Sequence, residues 1–478
     1  MYKKIIGIFV SAAFVLLASG SAYGKDKAGV SPRPNFVVFL VDDLGWADCS
    51  VALWEETRNN IVVRTPNMER LADGGVKFTH AYGSSVCSPS QVTFMTGLSC
   101  ARHKVVNQVD RAGSASDAEC DLLGFPAWNH NGLQPAPNIS NSICAATIPE
   151  VLAGNGYHTV CIGAHQVAPE KTPGADPCSL GYRSHIHSLE TGIEELDGMQ
   201  KSGVPFFAVV NYSQKEHPVA DDDPYYRKAI EDGLPERRAR YVAMVAAADS
   251  ALGLVLDRLK NAGLDRNTTV IMTSDNGGES PAIKGELVNK YNFPLKGGKG
   301  SPYEGGIRIP MIIAVPGAAD SSSTCDTPVG LDDLFPTIMD IAGAKLPKTA
   351  YKPGGVSLLP LLEGDHSRKY NRPLFWHFPN GYTGAGNDDK GAYSAINKKG
   401  WKLIYFYRTG TVELYDINGD IFEIVNQGNN PSMSLTRRRL ERDLTRELKR
   451  AAADVPYDKN AGRWCKYPNG RPFKDKSN

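Results

Sequence analysis

The sequence carries almost no excess charge of either sign: 53 Lys and Arg stand against 52 Asp and Glu, a net charge of +1. No electrostatic footprint for nucleic acid is visible in that balance. No Cys-x-x-Cys pair occurs, which argues against a zinc ribbon. Ile5 to Leu17 is an apolar run of only about 13 residues, against the ~20 that a spanning helix needs, and no later segment is apolar enough to cross a bilayer. No internal repeat is evident.

What is present points to a large globular chain. A hydrophobic fraction of 41% over 478 residues can bury a sizeable core, which excludes a disordered scaffold. The 47 Gly and 31 Pro imply many turns and long functional loops rather than a helical bundle. The N-terminus reads as a secretory signal peptide over residues 1–24: basic Lys3 and Lys4, the apolar run, then small residues ending at Ala22-Tyr23-Gly24. The mature protein is therefore expected to be exported, periplasmic or extracellular, with no membrane span. Nine cysteines are an odd number. With Cys87 set aside for chemistry, the other eight are free to pair in an oxidising compartment.

Asn35 to Val41 is a continuous β-branched and aromatic run, the pattern of a buried parallel strand, and Asp42-Asp43 follow at its end. Similar runs are Thr269–Thr273, leading to Asp275-Asn276-Gly277-Gly278; Pro205–Val210, leading to Lys215 and His217; Tyr157–Ile162, leading to His165; and Met311–Val315. The clearest helix carries Tyr241, Val245, Ala248, Leu252, Val255, Leu256 and Leu259 at spacings of three or four. Strands alternating with helices predict an α/β fold, a mostly parallel central sheet with helices on both faces. Ligands bind beyond the carboxyl ends of such strands. After about residue 370, Ala392–Ile396, Trp401–Phe406 and Glu413–Asp416 read as short antiparallel strands, followed by a helix with Leu440, Leu444 and Leu448 on one stripe. The predicted organisation is a catalytic α/β domain over 25–370 and a small C-terminal antiparallel-sheet-and-helix domain over 371–478. The arginines of that last helix, Arg437, Arg438, Arg439, Arg442 and Arg446, alternate with Glu441, Asp443 and Glu447 and read as a solvated face rather than a polyanion surface.

Asp42, Asp43, Asp275 and Asn276 come from two strand ends distant in sequence. Adjacent acids at a buried strand end repel unless a cation lies between them. Three carboxylates and an amide are hard oxygen ligands, so Ca²⁺ is the natural partner and Mg²⁺ the second choice. Asp275-Asn276-Gly277 alone would read as a turn; two clusters at one sheet edge favour a metal. Cys87, in Ser85-Val86-Cys87-Ser88-Pro89-Ser90-Gln91, precedes a helix start at Val92–Gly97, where a helix N-terminus is expected to lower a thiol pKa.

These segments resemble the type I, formylglycine-dependent sulfatases of the alkaline phosphatase superfamily. The resemblance rests on Val41-Asp42-Asp43-Leu44-Gly45, on Cys87-Ser88-Pro89-Ser90, on Thr273-Ser274-Asp275-Asn276-Gly277-Gly278, and on Lys296–Ser301 with Tyr303-Glu304-Gly305-Gly306-Ile307-Arg308. It implies that a maturation enzyme oxidises Cys87 to formylglycine, whose hydrate attacks sulfur. It implies Ca²⁺ ligation by Asp42, Asp43, Asp275 and Asn276. His217 and Lys299 resemble the pair that binds the sulfate ester and steadies the leaving oxygen, and His165 the histidine that helps eject sulfate. Two positions depart from the family. Its Cys-x-Pro-Ser-Arg motif ends here in Gln91, and Gly163 stands where a sulfate-binding lysine is usual. Each lost cation removes on the order of 2–4 kcal/mol of transition-state stabilisation. Lys215, two residues before His217, offers a substrate-binding cation in partial compensation.

The function expected from these residues is hydrolysis of a carbohydrate or aryl sulfate ester. Two alternatives stand beside it: a catalytically impaired sulfatase fold that binds sulfated glycans, and a phosphate or phosphonate ester hydrolase. The long segment around Asp110 to Pro137, with Trp128, is the expected substrate-binding region. Asn138-Ile139-Ser140 and Asn267-Thr268-Thr269 match the glycosylation sequon, which matters only in a glycosylating host.

Overall fold

The first strand, β1 (Asn35–Val41), is buried at all seven positions. Its side chains alternate between two separate cores. Phe36 and Val38 enter one, with Phe207, Val209 and Ile271. Val37, Phe39 and Val41 enter the other, with Ala208, Val210 and Met272. A strand covered on both faces has no solvent side, which is why the sequence shows an unbroken apolar run rather than an alternation. Each fully buried side chain of this size contributes about 1.5–3 kcal/mol.

The computed structural model describes residues 33–54, 63–109, 114–133, 145–169, 176–213, 218–278, 292–347, 352–365, 370, 372–382 and 391–473. Pro34–Asn478 form a single unit. Eight further strands join the first sheet: β2 (Val76–Tyr82), β3 (His158–Gly163), β4 (Ser184–Ile186), β5 (Phe206–Tyr212), β6 (Thr268–Ser274), β7 (Arg308–Ala314), β8 (Ser323–Cys325) and β9 (Val329–Gly330). The order is β9-β2-β7-β6-β1-β5-β3-β4, with β8 also on β2. β1 is parallel to β5 and β6, and β5 to β3. β7 runs antiparallel to β6 and β2. The sheet is thus mixed and mostly parallel, as the sequence predicts, and Met311–Ala314 of the run Met311–Val315 fall on the one strand that is reversed among the described residues.

That reversal has a functional consequence. β6 ends at Ser274 and β7 begins at Arg308, so the chain between them turns back at the same sheet edge. β2, antiparallel to β7, again ends at that edge. The chain segments after β1, β2, β3 and β6 and the segment before β7 therefore converge at one side of the sheet.

The helices include α1 (Pro66–Asp73), α2 (Cys87–Thr96), α3 (Ile148–Gly154), α4 (Leu189–Ser202), α5 (Glu236–Asn261), α6 (Leu334–Ala342) and α7 (Ser434–Arg450). An 18-residue window of α5 has a mean hydropathy of 1.5, so by length and composition alone it could cross a membrane, contrary to the sequence expectation. Its Val245, Ala248, Leu252 and Val255 are instead buried against the sheet, and Asp249 caps α1 by accepting from Asn67 and Met68 N–H at 3.0 and 2.8 Å.

The C-terminal sheet is an antiparallel meander of β10 (Leu374–Gly381), β11 (Gly391–Lys398), β12 (Trp401–Phe406) and β13 (Val412–Asp416). Lys399 and Gly400, with φ of 57° and 80°, make the tight turn between β11 and β12. Leu440, Leu444 and Leu448 of α7 pack on Ile396, Leu403 and Leu414 of this sheet. Leu123–Gly124, Tyr457–Asp458 and Arg463–Trp464 form a small third sheet. The expected cysteine pairing is not found: no disulfide joins Cys49, Cys100, Cys120, Cys178, Cys325 or Cys465. Most of these are buried as small apolar side chains, which satisfies them by packing. Cys144 lies outside the described residues, as do residues 1–24.

Candidate active site

The parallel register sets Val41 opposite Ser274, so Asp42-Asp43 and Asp275-Asn276 leave neighbouring strands side by side. Ser274 fastens the two ends: its hydroxyl donates to Val41 O and accepts from Leu44 N–H, both at 3.0 Å. Asp43 has φ +62°, a left-handed conformation that a non-glycine residue holds only when its surroundings impose it. Tyr241 of α5 imposes it in part, donating to Asp43 O at 3.1 Å and accepting from Gly45 N–H at 3.0 Å. The sequence pattern shows Tyr241 as one residue of an apolar stripe; its hydroxyl braces the acidic turn. Gly277 is required by close approach, since a Cβ there would lie 1.8 Å from Gly305 O.

Cys87 arrives from β2. It is the first residue of α2, five positions before the helix start expected from sequence, and every residue of that helix is buried. Its Sγ lies 3.2 Å from Asp42 Oδ1 and 3.8 Å from Asp43 Oδ1. Ligand atoms of Asp42, Asp43, Cys87 and Asp275 all lie within 4.8 Å of one another. Lys299, from the segment before β7, pairs with Asp43 at 2.7 Å. Asn276 Nδ2 donates to the same carboxylate at 2.8 Å.

The electrostatics are those of crowded acids. Burial, then the charges of Asp42 and Asp43, hold the Asp275 carboxyl well above the usual range. Burial also raises Asp43, against Lys299. For Asp42 burial is outweighed by Lys299 and by hydrogen bonds that include those from Cys87 and Gln166, and its pKa is lowered. Burial opposes the charge of Lys299, but Asp43, Cys87 and Asp42 keep its ammonium well above its ordinary value. The Cys87 thiol is pushed well up by burial and by Asp275 and Asp42. The lowering expected from a helix N-terminus is thus overridden by burial and by the neighbouring carboxylates. Asp275 Oδ2 and Asn276 Oδ1 are buried without a hydrogen-bond partner. Together with the carboxylates of Asp42 and Asp43, these two orphaned oxygens are hard donors that could hold a divalent cation.

One residue of this site has no signal in the sequence. Gln166 Nε2 donates to Asp42 Oδ2 at 3.0 Å, and Gln166 N–H donates to Gln91 Oε1 at 3.1 Å. His165, its neighbour, has a buried Nε2 with no partner, and burial, then the charge of His185, lowers its pKa to about 3. Gly163, with φ +82°, accepts from His185 Nε2 at 3.0 Å through its carbonyl. Lys215 and His217 lie outside the described residues. So do Asn138 and parts of the Asp110–Pro137 segment, of which Trp128 is buried and donates to Asp117 at 3.0 Å.

Over residues 34–344, well beyond half its length, the sequence matches the family described as Sulfatase. The chain belongs to the sulfatase family, within the alkaline phosphatase superfamily. Residues 298–450 also match the C-terminal region of N-sulphoglucosamine sulphohydrolase. A sulfatase of Formosa agariphila is 26% identical, over 90% of each chain. The N-acetylgalactosamine-6-sulfatase of Rattus norvegicus is 26% identical over 77% of this chain and 72% of its own. The crystal structure of Ps i-CgsB in complex with k-i-k-neocarrahexaose superposes with a TM-score of 0.68 at 21% identity, covering 92% of this chain and 95% of that one. In this sulfatase the Tyr303–Arg308 block does structural work. Glu304 pairs with Arg308 at 2.7 Å and with Lys402 of β12 at 2.9 Å, and Lys402 pairs with Glu423 at 3.0 Å, all buried.

Proposed function

We propose that this sulfatase is an exported, Ca²⁺-dependent hydrolase of sulfate esters on carbohydrates, with Cys87 matured to formylglycine. The observation that carries the reading is the meeting of Asp42, Asp43, Asp275 and Cys87 within 4.8 Å, with Lys299 at 2.7 Å from Asp43. Asp42, Asp43, Asp275 and Asn276 would hold the ion. A bound Ca²⁺ supplies positive charge against which a hydroxyl at position 87 ionises. Oxidation of Cys87 by the maturation enzyme gives an aldehyde, and its hydrate presents that hydroxyl to sulfur. Lys299 faces the sulfate with its ammonium charge, and His217 protonates the departing sugar oxygen. His165, kept neutral by burial, is in the form that accepts a proton when sulfate is expelled and the aldehyde restored. Relatives named for N-acetylgalactosamine 6-sulfate, and a structural neighbour holding a neocarrahexaose, support a sulfated carbohydrate as substrate.

The test pairs peptide mass spectrometry of Cys87 in natively exported protein with sulfate release. A formylglycine mass and turnover lost in Cys87→Ala support the reading; unmodified cysteine together with no release defeats it. A second reading, glycan binding without turnover, is favoured by one observation: neutral Gln91 is committed to Gln166 N–H, and Gly163 has no side chain to replace the family's lysine.

A further inference from the structure

In sequence, the acids and bases of α7 alternate; in three dimensions the acids lie towards the buried stripe and several bases reach outward, some of them while paired with those acids. Leu440, Leu444 and Leu448 are buried, and the acids flank that stripe. Asp443 is buried, and Glu441 and Glu447 are half-buried. Arg442, Arg446, Lys449 and Arg450, at i, i+4, i+7 and i+8, are exposed on the opposite face. The ion pairs hold the acids inward: Asp443 is shared by Lys398, at 2.7 Å, and Arg446. Glu447 pairs with Arg450 at 3.0 Å. Arg446 and Arg450 still expose 51% and 65% of their side chains.

A second segment completes a groove. Tyr467-Pro468-Asn469-Gly470 is a turn closed by Gly470 N–H to Tyr467 O at 2.8 Å, with Gly470 at φ +77°. Asn469 N–H donates to Thr445 Oγ1 at 3.3 Å and seats the turn on α7. Lys449 lies over the Tyr467 ring, 5.0 Å from its centroid. The turn brings Arg471 and Asn469 alongside the helical cations, and the groove between them has five cationic side chains against one carboxylate, the already shared Asp443. In a chain of net charge +1 this is a local concentration, not a general basicity.

We propose that this groove binds a chain of a sulfated polysaccharide, at a site separate from the Cys87 centre. The inference rests on the sulfated-carbohydrate reading above for the choice among polyanions. Four of the five cations are arginines, whose planar forks match the paired oxygens of a tetrahedral anion. A row of them suits repeated sulfates on one polymer, where each weak contact raises the effective concentration for the next. The groove would keep a polymer on the enzyme between cleavage events.

The test measures binding of the full chain to size-defined heparin, chemically desulfated heparin and single-stranded DNA of equal charge. The variants are Arg446→Glu/Lys449→Glu/Arg450→Glu and the milder Arg442→Gln/Arg446→Gln, each checked by thermal unfolding. Wild-type protein should prefer heparin over both other probes. The triple reversal should weaken that binding about tenfold or more, three exposed contacts being removed together, with sulfate release from a sulfated monosaccharide unchanged. Unaltered heparin binding in both variants overturns the groove, and equal affinity for DNA overturns its ligand. If sulfate release is absent while heparin binding still follows the groove cations, the groove stands and the hydrolase reading fails.

Discussion

Gln166 donates its side-chain amide to Asp42 Oδ2 at 3.0 Å, in a loop that Gln91 anchors through Gln166 N–H. A neutral residue at the end of the cysteine motif is therefore not an empty place. It accepts a hydrogen bond from a backbone N–H, which arginine, having no acceptor, cannot do. The arrangement orients one carboxylate of the proposed Ca²⁺ site from outside its ligand set. Gln166→Ala should weaken Ca²⁺ binding about 10–100-fold, as loss of an outer hydrogen bond to a ligand does. Calorimetric Ca²⁺ titration reads this without any turnover, and an unchanged affinity removes Gln166 from the site.

Asp275 and Asn276 carry the orphaned oxygens, so the ion should depend most directly on them. Asp275→Ala should abolish Ca²⁺ binding and with it the rise in unfolding temperature that Ca²⁺ gives the wild type. Chelation of wild-type protein should lower that temperature to the variant's value. A natively purified protein free of divalent ions by elemental analysis counts against the site.

Most of the central sheet was legible because two-sided burial writes an uninterrupted apolar run, and Asn35–Val41 is found with the expected bounds. The acid clusters were legible because Asp42-Asp43 and Asp275-Asn276 each follow an apolar strand run, and the parallel pairing of β1 with β6 sets them side by side. The direction of β7 was not legible, since the run Met311–Val315 is the same whichever way it is paired. Nor was Gln166. A lone glutamine after a histidine has no period and no motif, and its bond to Asp42 exists only because β3 ends at the same edge as β1. Glu304 and its partner Arg308 sit inside one motif block, yet the second partner of Glu304, Lys402, lies in another sheet.

That buried cluster yields a stability prediction. Lys402 is the cation between Glu304 and Glu423, and no solvent reaches it. Lys402→Met leaves Glu304 with Arg308 alone and Glu423 with no cation among the described residues, and should cost about 3–5 kcal/mol, the usual penalty for removing one partner of a buried pair. Chemical denaturation measures it. A loss below about 1 kcal/mol, the range of an exposed pair, would show the cluster to be hydrated.

Acid should destabilise the fold through its buried histidines. Burial lowers the pKa of both His103 and His377 to about 3. The unfolded chain takes up a proton on each below its ordinary pKa of about 6.5, and the folded chain does not until near 3. Stability is therefore full above about 6.5 and falls as pH drops towards 3, by about 1.4 kcal/mol per pH unit for each histidine. His377 donates through Nε2–H to Asp454 O at 2.9 Å, its neutral Nδ1 accepts from Ser394 Oγ at 2.8 Å, and His377→Gln should flatten the slope over that window. An unchanged slope would place the acid sensitivity elsewhere.

The last prediction separates hydrolase from binder. Cys87→Ala should eliminate sulfate release, because Cys87 is the motif residue whose side chain lies against Asp42 and Asp43. Gln91→Arg should have two opposite effects: a higher fraction of Cys87 converted, since it restores the Cys-x-Pro-Ser-Arg motif of the family, and weaker Ca²⁺ binding, since Gln166 loses its acceptor. His217→Ala should slow release from sugar sulfates about 10²–10⁴-fold and spare activated aryl sulfates, because only a sugar alkoxide must be protonated as it leaves. A binder gives a different pattern. Fully converted protein would hold sulfated sugars without releasing sulfate, Cys87→Ala would bind as well as wild type, and Lys299→Ala would bind less, having lost the cation paired with Asp43. Cys87-dependent sulfate release from any glycan rules the binder out. Its absence from fully converted protein across sulfated sugars and aryl sulfates rules out the enzyme.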